Sequence, residues 1–257
     1  MNIILLKPEE ITENHTNISD YRAEHIVKIL RSNVGDTVTV GIENGKTGSA
    51  VIEEIDRKRP FQVKLFLRIE TDPPPVANID VLLALPRPIV FKRIIHQLTS
   101  LGVGRVYIVN AAKVEKSYWE SSVVSEKGWR DFVITGLEQA VDTRFVDFEF
   151  HRGFKPFMTR VVPELRTCYA QMLVAHPGSA TPLGHVNIQA GESILVAIGP
   201  EGGWNDFETD LFNRQGFRDF NIGTRILKVE TAVTAIHAQL SLLQSLAERS
   251  ASCSPAI

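Results

Sequence analysis

From the amino terminus to about residue 72, apolar residues fall in short strand-like runs: Asn2–Leu6, Thr37–Ile42, Gly48–Ile55 and Gln62–Ile69. Turn-forming stretches such as NVGD and ENGKTG separate them, and Asn44-Gly45 has the chemistry of a hairpin turn. One helix is predicted over Asp20–Arg31, with Ser19 as its cap and Ile26, Ile29 and Leu30 on one face. This half reads as a small β-barrel carrying one helix. Pro73, Pro74 and Pro75 then interrupt the chain with a stiff, extended segment.

Beyond the prolines the period changes. Apolar strands are predicted at Ile79–Leu85, Arg105–Val109, Tyr169–Ala175, Ser193–Ile198 and Phe217–Ile222. Helical patterns lie at Val90–Leu101, Ser125–Ala140, Asp206–Gln215 and Thr231–Glu248. Alternating strands and helices imply crossovers, hence a parallel sheet covered on both faces. The predicted organisation is residues 1–72 as a β-barrel, 73–250 as an α/β domain and 251–257, RSASCSPAI in part, as a flexible tail.

Composition narrows the class. Hydrophobic residues make up 44% of the 257 and charged ones 23%, ordinary for a soluble globular chain. No apolar run approaches the ~20 residues of a membrane span, and MNIILLKPEE lacks the basic flank and cleavage pattern of a signal peptide. Cys168 and Cys253 are far apart and form neither a disulfide framework nor a zinc pattern, which suits the reducing cytoplasm. The net charge of −2 announces no global field for nucleic acid, and DNA is not expected as a partner. An RNA partner would be met by local patches.

Two stretches carry chemistry. In ILVAIGPEGGWNDFE a strand ends at Ile198, the chain turns through Gly199–Gly203, and a helix starts near Asp206, with Asn205 and Glu208 spaced as a capping box. Ligands of open α/β sheets gather at such strand ends, and Gly202 and Gly203 admit close approach to bare backbone. Glu201 argues against a polyphosphate, and the chain contains neither GxxxxGK[ST] nor GxGxxG. A tight turn without a ligand explains this corner equally well on spacing alone. The second corner, Gly223 followed by Arg225, Ile226, Leu227, Lys228 and Glu230, succeeds another predicted strand. Two strand-end loops in succession would line one pocket, with Ile226 and Leu227 flanking a flat ring. Taken singly, Arg225 and Glu230 read better as a solvated ion pair capping the helix, and it is the pairing with the first corner that favours a site.

Together these stretches resemble the SPOUT methyltransferases, and among them the family that methylates N3 of a uridine in small-subunit (16S) ribosomal RNA. The likeness runs through RAEHIVKILRSNVGD (Arg22–Asp36), LTSLGVGRVYIV (Leu98–Val109), Glu138-Gln139, His176-Pro177, IGPEGG (Ile198–Gly203) and GTRILKVETA (Gly223–Ala232). It implies a PUA-like RNA-binding barrel, an α/β domain with a deep trefoil knot, S-adenosylmethionine as cofactor, and a homodimer acting on ribosomal RNA or the small ribosomal subunit.

For transfer to N3, which needs a cation to stabilise the anion or a base to take the proton, Arg225 is expected to stabilise the uridine anion and Glu230 to orient that arginine or accept the proton. His176, Ile198, Gly199, Glu201, Gly202, Gly203, Ile222, Gly223, Leu227 and Thr231 are the implied cofactor contacts. Arg22, His25 and Arg31, on one helix face with Lys28, and Arg144 are the implied RNA contacts, and no metal is implied. Tyr118 and Trp119 read either as a stacking platform or as a buried pair. The chain departs from the family at EQAVDTR, where Arg144 sits two places late, at His96-Gln97 and Ser100 in the first helix of the α/β domain, and in KVEKSYWES.

Overall fold

The computed structural model describes residues 1–252. The chain divides into two compact units, one formed by Met1–Pro75 with Val133–Phe145, the other by Val76–Phe132 and everything from Val146 onward. The return of 133–145 to the first unit is invisible in the sequence, because the helix that carries it has an unbroken period.

The first unit holds β1 (Ile4–Leu6), β2 (His15–Ile18), α1 (Tyr21–Glu24), β3 (Thr37–Ile42), β4 (Thr47–Asp56) and β5 (Gln62–Thr71). They form a five-stranded sheet in the order β1-β3-β4-β5-β2, with β1 and β3 parallel and the remaining pairs antiparallel. Alternate residues Ala50 and Ile52 of β4 and Val63, Leu65 and Leu67 of β5 point into one apolar core with Ile4, Leu6, Val38 and Val40. β2 was not anticipated, since HTNI is short and half polar.

Here α1 corrects two expectations. It starts at Tyr21, so the capping position passes from Ser19 to Asp20, whose Oδ1 accepts from Arg22 N at 2.9 Å. It then widens into a π-helical turn over His25–Leu30, and Arg31 ends it with φ +54°. The wider turn breaks the 3.6-residue period. Ile26 and Val27 are buried, whereas Ile29 and Leu30 face solvent.

The second unit contains β6 (Ile79–Ala84), α2 (Pro88–Ser100), β7 (Arg105–Val109), α3 (Glu126–Ala140, whose last turns belong to the first unit), β8 (Asp147–His151), α4 (Phe154–Pro156), α5 (Val162–Leu165), β9 (Gln171–Ala175), β10 (Ile194–Ile198), α6 (Asp206–Arg214), β11 (Arg218–Phe220) and α7 (Val229–Ser252). α7 enters the predicted tail, and residues 253–257 lie outside the described residues. The six strands run parallel in the order β11-β9-β10-β6-β7-β8. β10 lies near the middle, all five of its residues buried, as a strand covered on both faces requires. β8, DFEFH, was missed because acidic residues interrupt its apolar ones.

Register sets up the site. Ile198 pairs with Leu83, Ala197 with Val174 and Phe220 with Ala175. The carboxyl ends of β6, β10, β9 and β11 therefore lie side by side, and the loops leaving them share one edge of the sheet. No helix among the described residues is long and apolar enough to cross a membrane.

In α7, His237 is buried and its Nε2 has no partner among the described residues. Burial pushes the imidazole down to about 4 from 6.5, so it stays neutral in the fold while an unfolded chain takes up a proton below pH 6.5. Stability should fall as the pH drops from 6.5 towards 4, by on the order of 2–3 kcal/mol from this group. Urea unfolding of the protein and of His237→Gln across that range checks it, the variant giving the flatter profile.

Candidate functional site

The loops at this edge surround a cavity of about 850 Å³. After β10 the chain turns at Gly199, where an added Cβ would meet the Trp204 indole at 3.2 Å. The turn closes with Gly203 N donating to Pro200 O at 2.8 Å, and Gly203 has φ +69°, a left-handed geometry natural to glycine. α6 then begins with a reciprocal cap, Asn205 Oδ1 accepting from Glu208 N and Glu208 Oε2 from Asn205 N, each at 2.9 Å. Buried Glu208 also accepts from Ala112 N at 2.7 Å, and Lys113 Nζ donates to Gly202 O at 2.7 Å. The glycine turn is thus fixed from two sides.

The second wall follows β11. Gly223, at φ +124°, donates its N–H to Asn221 Oδ1 at 3.0 Å, and the chain then runs through Arg225, Ile226, Leu227 and Lys228 into α7. α7 opens two residues before the predicted Thr231, which puts Glu230 in its first turn. His176 and Pro177 leave β9 between the two walls, the His176 Nδ1 accepting from Gly178 N at 3.1 Å.

Nine of the ten residues implied as cofactor contacts line this cavity: His176, Ile198, Gly199, Glu201, Gly202, Gly203, Ile222, Gly223 and Leu227. Thr231 does not. It is exposed on the first turn of α7, while its neighbours Glu230 and Ala232 face the cavity. Glu201 Oε1 accepts from Arg87 N at 3.1 Å, so this acid caps the start of α2.

Arg225 and Glu230 both line the cavity, but they are not a pair. Glu230 Oε1 lies 3.9 Å from Arg93 Nη1, with Glu230 largely sheltered and Arg93 open to solvent. Arg225 is exposed. The orienting role of Glu230 towards Arg225 is therefore replaced by a contact with Arg93.

Sequence reasoning missed Arg87, Arg93 and Trp204. Arg87 and Arg93 arrive from the β6–α2 corner, where PRP breaks the chain directly after a buried strand. The Arg87 guanidinium is held charged more firmly than usual by the Tyr118 hydroxyl and then by Glu201. Trp119 is buried, donates to Asn110 Oδ1 at 3.0 Å and lies under the Arg152 guanidinium at 5.3 Å, so it is no stacking platform.

Trp204 packs on Phe154 and Phe212 while its Nε1, buried and with no acceptor among the described residues, lies beside Gly199 at the cavity wall. Buried donors are normally paired, so a ligand acceptor is wanted here. The apolar side chains Val90, Ile198, Ile222, Leu227 and Ile236, the bare glycine backbone and this orphan donor suit a ligand that combines a flat ring with polar edges. Gly199→Val should crowd the indole and weaken binding of such a ligand at least tenfold, as read by titration calorimetry, and overpacking against the core Trp204 should lower the melting temperature as well.

The implied RNA contacts fare differently. Arg22 is buried, and its five N–H groups are taken by Asp20, Glu10 and the Leu5 carbonyl, with Nη1 to Leu5 O at 2.6 Å and Nη2 to Glu10 Oε1 at 2.6 Å. It is an internal clamp of the first unit, with no donor left for a phosphate. His25 is half-buried, its Nε2 without a partner among the described residues, and burial together with the Met1 ammonium lowers its proton affinity. Arg144 is half-buried and donates to Pro73 O at 3.4 Å. Only Arg31 stands exposed. The π-helical turn is what separates these residues from the common face their spacing predicts.

Comparison with known proteins places this geometry. Residues 72–241 match the model of an RNA methyltransferase domain, and residues 18–65 that of an RNA methyltransferase PUA domain. Among curated proteins, the ribosomal RNA small subunit methyltransferase E of Treponema pallidum is 31% identical over 91% of this chain and 88% of its own length. The chain belongs to the ribosomal RNA small subunit methyltransferase E family.

A second member of the family, methyltransferase E 1 of Borreliella burgdorferi, is 28% identical over 91% of the chain and 95% of its own length. The Neisseria gonorrhoeae member, solved bound to S-adenosylmethionine, shares the fold with a TM-score of 0.73 at 21% identity, covering 95% of this chain and 98% of its own. A methyltransferase from Legionella pneumophila, solved with the same cofactor, aligns at a TM-score of 0.71 and 21% identity over 95% of this chain and 97% of its own. With the family and its two domain models, the chain is an RNA methyltransferase, a parallel α/β domain joined to a PUA domain.

Proposed function

We propose that the protein uses S-adenosylmethionine to methylate N3 of a uridine in small-subunit ribosomal RNA. The observation that carries this is the meeting of Gly199–Gly203 and Ile222–Glu230 around one cavity, with an arginine and a carboxylate at its edge. S-adenosylmethionine supplies an electrophilic methyl group on a positively charged sulfur. The residues that would hold it are the glycine turn, His176, Ile222, Leu227 and the Trp204 indole N–H.

Uridine N3 carries a proton and is a poor nucleophile until that proton leaves. Arg225 presents a cation that stabilises the uracil anion. Glu230, largely sheltered and facing Arg93, accepts the proton. The edge of the cavity carries Arg87, Arg93, Arg225 and Lys228 against Glu201 and Glu230, a local excess of positive charge in a chain of net charge −2. That excess favours a polyanionic substrate.

The same reading includes a trefoil-knotted path in the second unit, a cytoplasmic location beside the RNA, and a homodimer. Leu242 and Leu246, 58% and 48% exposed and four residues apart on α7, support the dimer. Sedimentation analysis tests it. Reverse transcription of small-subunit RNA from a strain lacking the protein tests the reaction: one stop, caused by an N3 methyl that blocks pairing, should vanish at a single uridine. An unchanged set of stops would overturn the assignment.

A further inference from the structure

We propose that Lys113 is a positioning residue of the cavity: it fixes the Gly202–Gly203 peptide of the glycine turn and so sets how tightly the methyl donor is held. The inference rests on the proposed function, since it takes S-adenosylmethionine as the occupant of that cavity. Lys113 is not among the residues that line the cavity, so it acts through backbone that does.

The geometry begins with the glycine at position 202. A Cβ added there would meet Lys113 Cδ at 2.8 Å, Cβ at 3.2 Å and Cγ at 3.5 Å, its three nearest neighbours. The bare side of Gly202 is therefore filled by the lysine stem. Gly202 lacks the positive φ of Gly203, so the close approach of this side chain, and no backbone strain, accounts for a glycine here.

The stem ends in an ammonium that donates to Gly202 O at 2.7 Å. At the other end of the same peptide, Gly203 N donates to Pro200 O at 2.8 Å. A planar peptide bonded through both its oxygen and its N–H is locked in orientation. This plane belongs to the wall against which the donor would lie, and both its glycines line the cavity.

Lys113 is held in its turn. Buried Glu208 divides its oxygens between the two arms of the structure, Oε2 accepting from Asn205 N just after the turn and Oε1 from Ala112 N beside the lysine. The same segment is anchored by buried Trp119, whose Nε1 donates to Asn110 Oδ1 at 3.0 Å. A closed ring results, from Gly202 through Asn205 and Glu208 to Ala112 and back through Lys113. With the backbone ordered at Ala112, only side-chain rotamers remain to be fixed when the ammonium reaches Gly202 O. The bond is of the stronger, charge-assisted kind, and the exposure of Lys113 brings it to the lower end of that range.

The test is donor binding by titration calorimetry without RNA, followed by steady-state methyl transfer to small-subunit RNA. Lys113→Met keeps an apolar stem over Gly202 and removes the ammonium; it should weaken S-adenosylmethionine binding about tenfold. S-adenosylhomocysteine, whose sulfur is uncharged, should weaken by the same factor, because the lysine works on the backbone and not on the donor's charge. The donor KM should rise by that factor while kcat stays within about twofold, as for a contact that holds ground state and transition state alike. Lys113→Arg, which keeps a cationic donor, should lose no more than about threefold. Lys116→Met, exposed further along the same segment, should leave both quantities unchanged. Gly202→Ala pushes the stem away, so Gly202→Ala with Lys113→Ala should bind the donor about as well as the weaker of the two single variants.

Unchanged donor affinity in Lys113→Met overturns the proposal; a smaller salt slope of RNA binding in that variant would then give the lysine to a phosphate. Losses that multiply in the double variant overturn it too, as does a fall in kcat with donor affinity intact. An unmodified protein that binds no S-adenosylmethionine is a failure of the methyltransferase reading, whereas an unmodified protein that binds it no better than Lys113→Met sinks this inference alone.

Discussion

Replacing Arg225 with alanine should lower methyl transfer to small-subunit RNA by about 10²–10³-fold while leaving S-adenosylmethionine affinity within a factor of about two. The residue lies at the edge of the cavity and is exposed, with no ion pair or hydrogen bond among the described residues. Its removal therefore costs the fold little, and the melting temperature should not move. A cation free of protein partners is available to the substrate, whereas Arg87 is engaged by Tyr118 and Glu201 and Arg93 by Glu230. Single-turnover kinetics and calorimetry separate the two quantities. Arg225→Lys should recover part of the rate, because charge survives and the planar fork is lost. Full activity in Arg225→Ala would remove it from the chemistry.

Arg22→Ala should instead destabilise the first unit by about 3 kcal/mol. Its guanidinium is buried against Glu10, Asp20 and the Leu5 carbonyl, and truncation strands two carboxylates and one backbone acceptor. The cost lies at the lower end for a broken buried pair because both carboxylates keep some access to water. The hydrogen bond from Arg22 holds Glu10 below the ordinary carboxyl range; burial alone would raise Asp20, but bonds from Arg22 outweigh it and hold it low too. Acid should therefore weaken the parent as these groups protonate below their unfolded pKa values, and the variant should lose that part of the pH dependence. Urea unfolding at pH 7 and at about pH 3, below both unfolded values, measures both effects. S-adenosylmethionine binding, a property of the second unit, should persist.

The contrast between Arg22 and Arg225 shows what the sequence could tell. The corner around Arg225 was legible because a strand, a glycine and a helix start follow one another within a few residues, and the parallel sheet gathers such corners at one edge. Gly199 and Gly203 were legible for the same reason. Arg87 and Arg93 belong to the same cavity yet were missed. Their corner lies over a hundred residues earlier in the chain, and only the pairing of β6 with β10 brings it alongside. Arg22 was placed on an exposed stripe by a 3.6-residue period that fails where the helix widens, and neither Glu10 nor Asp20 announces in sequence that it will reach that guanidinium. The barrel strands were readable from alternation. β2 and β8 escaped because short or acid-interrupted strands owe their place to neighbours and carry little pattern of their own.

The claim on which the rest depends is that two loops, each following a strand, build one socket for a methyl donor. A crystal structure of the protein grown with S-adenosylmethionine tests it most directly. The donor should lie between the Gly199–Gly203 turn and the Ile222–Leu227 segment, with an acceptor on the Trp204 indole N–H. Density for the donor at any other place, or none at saturating concentration, would contradict the account.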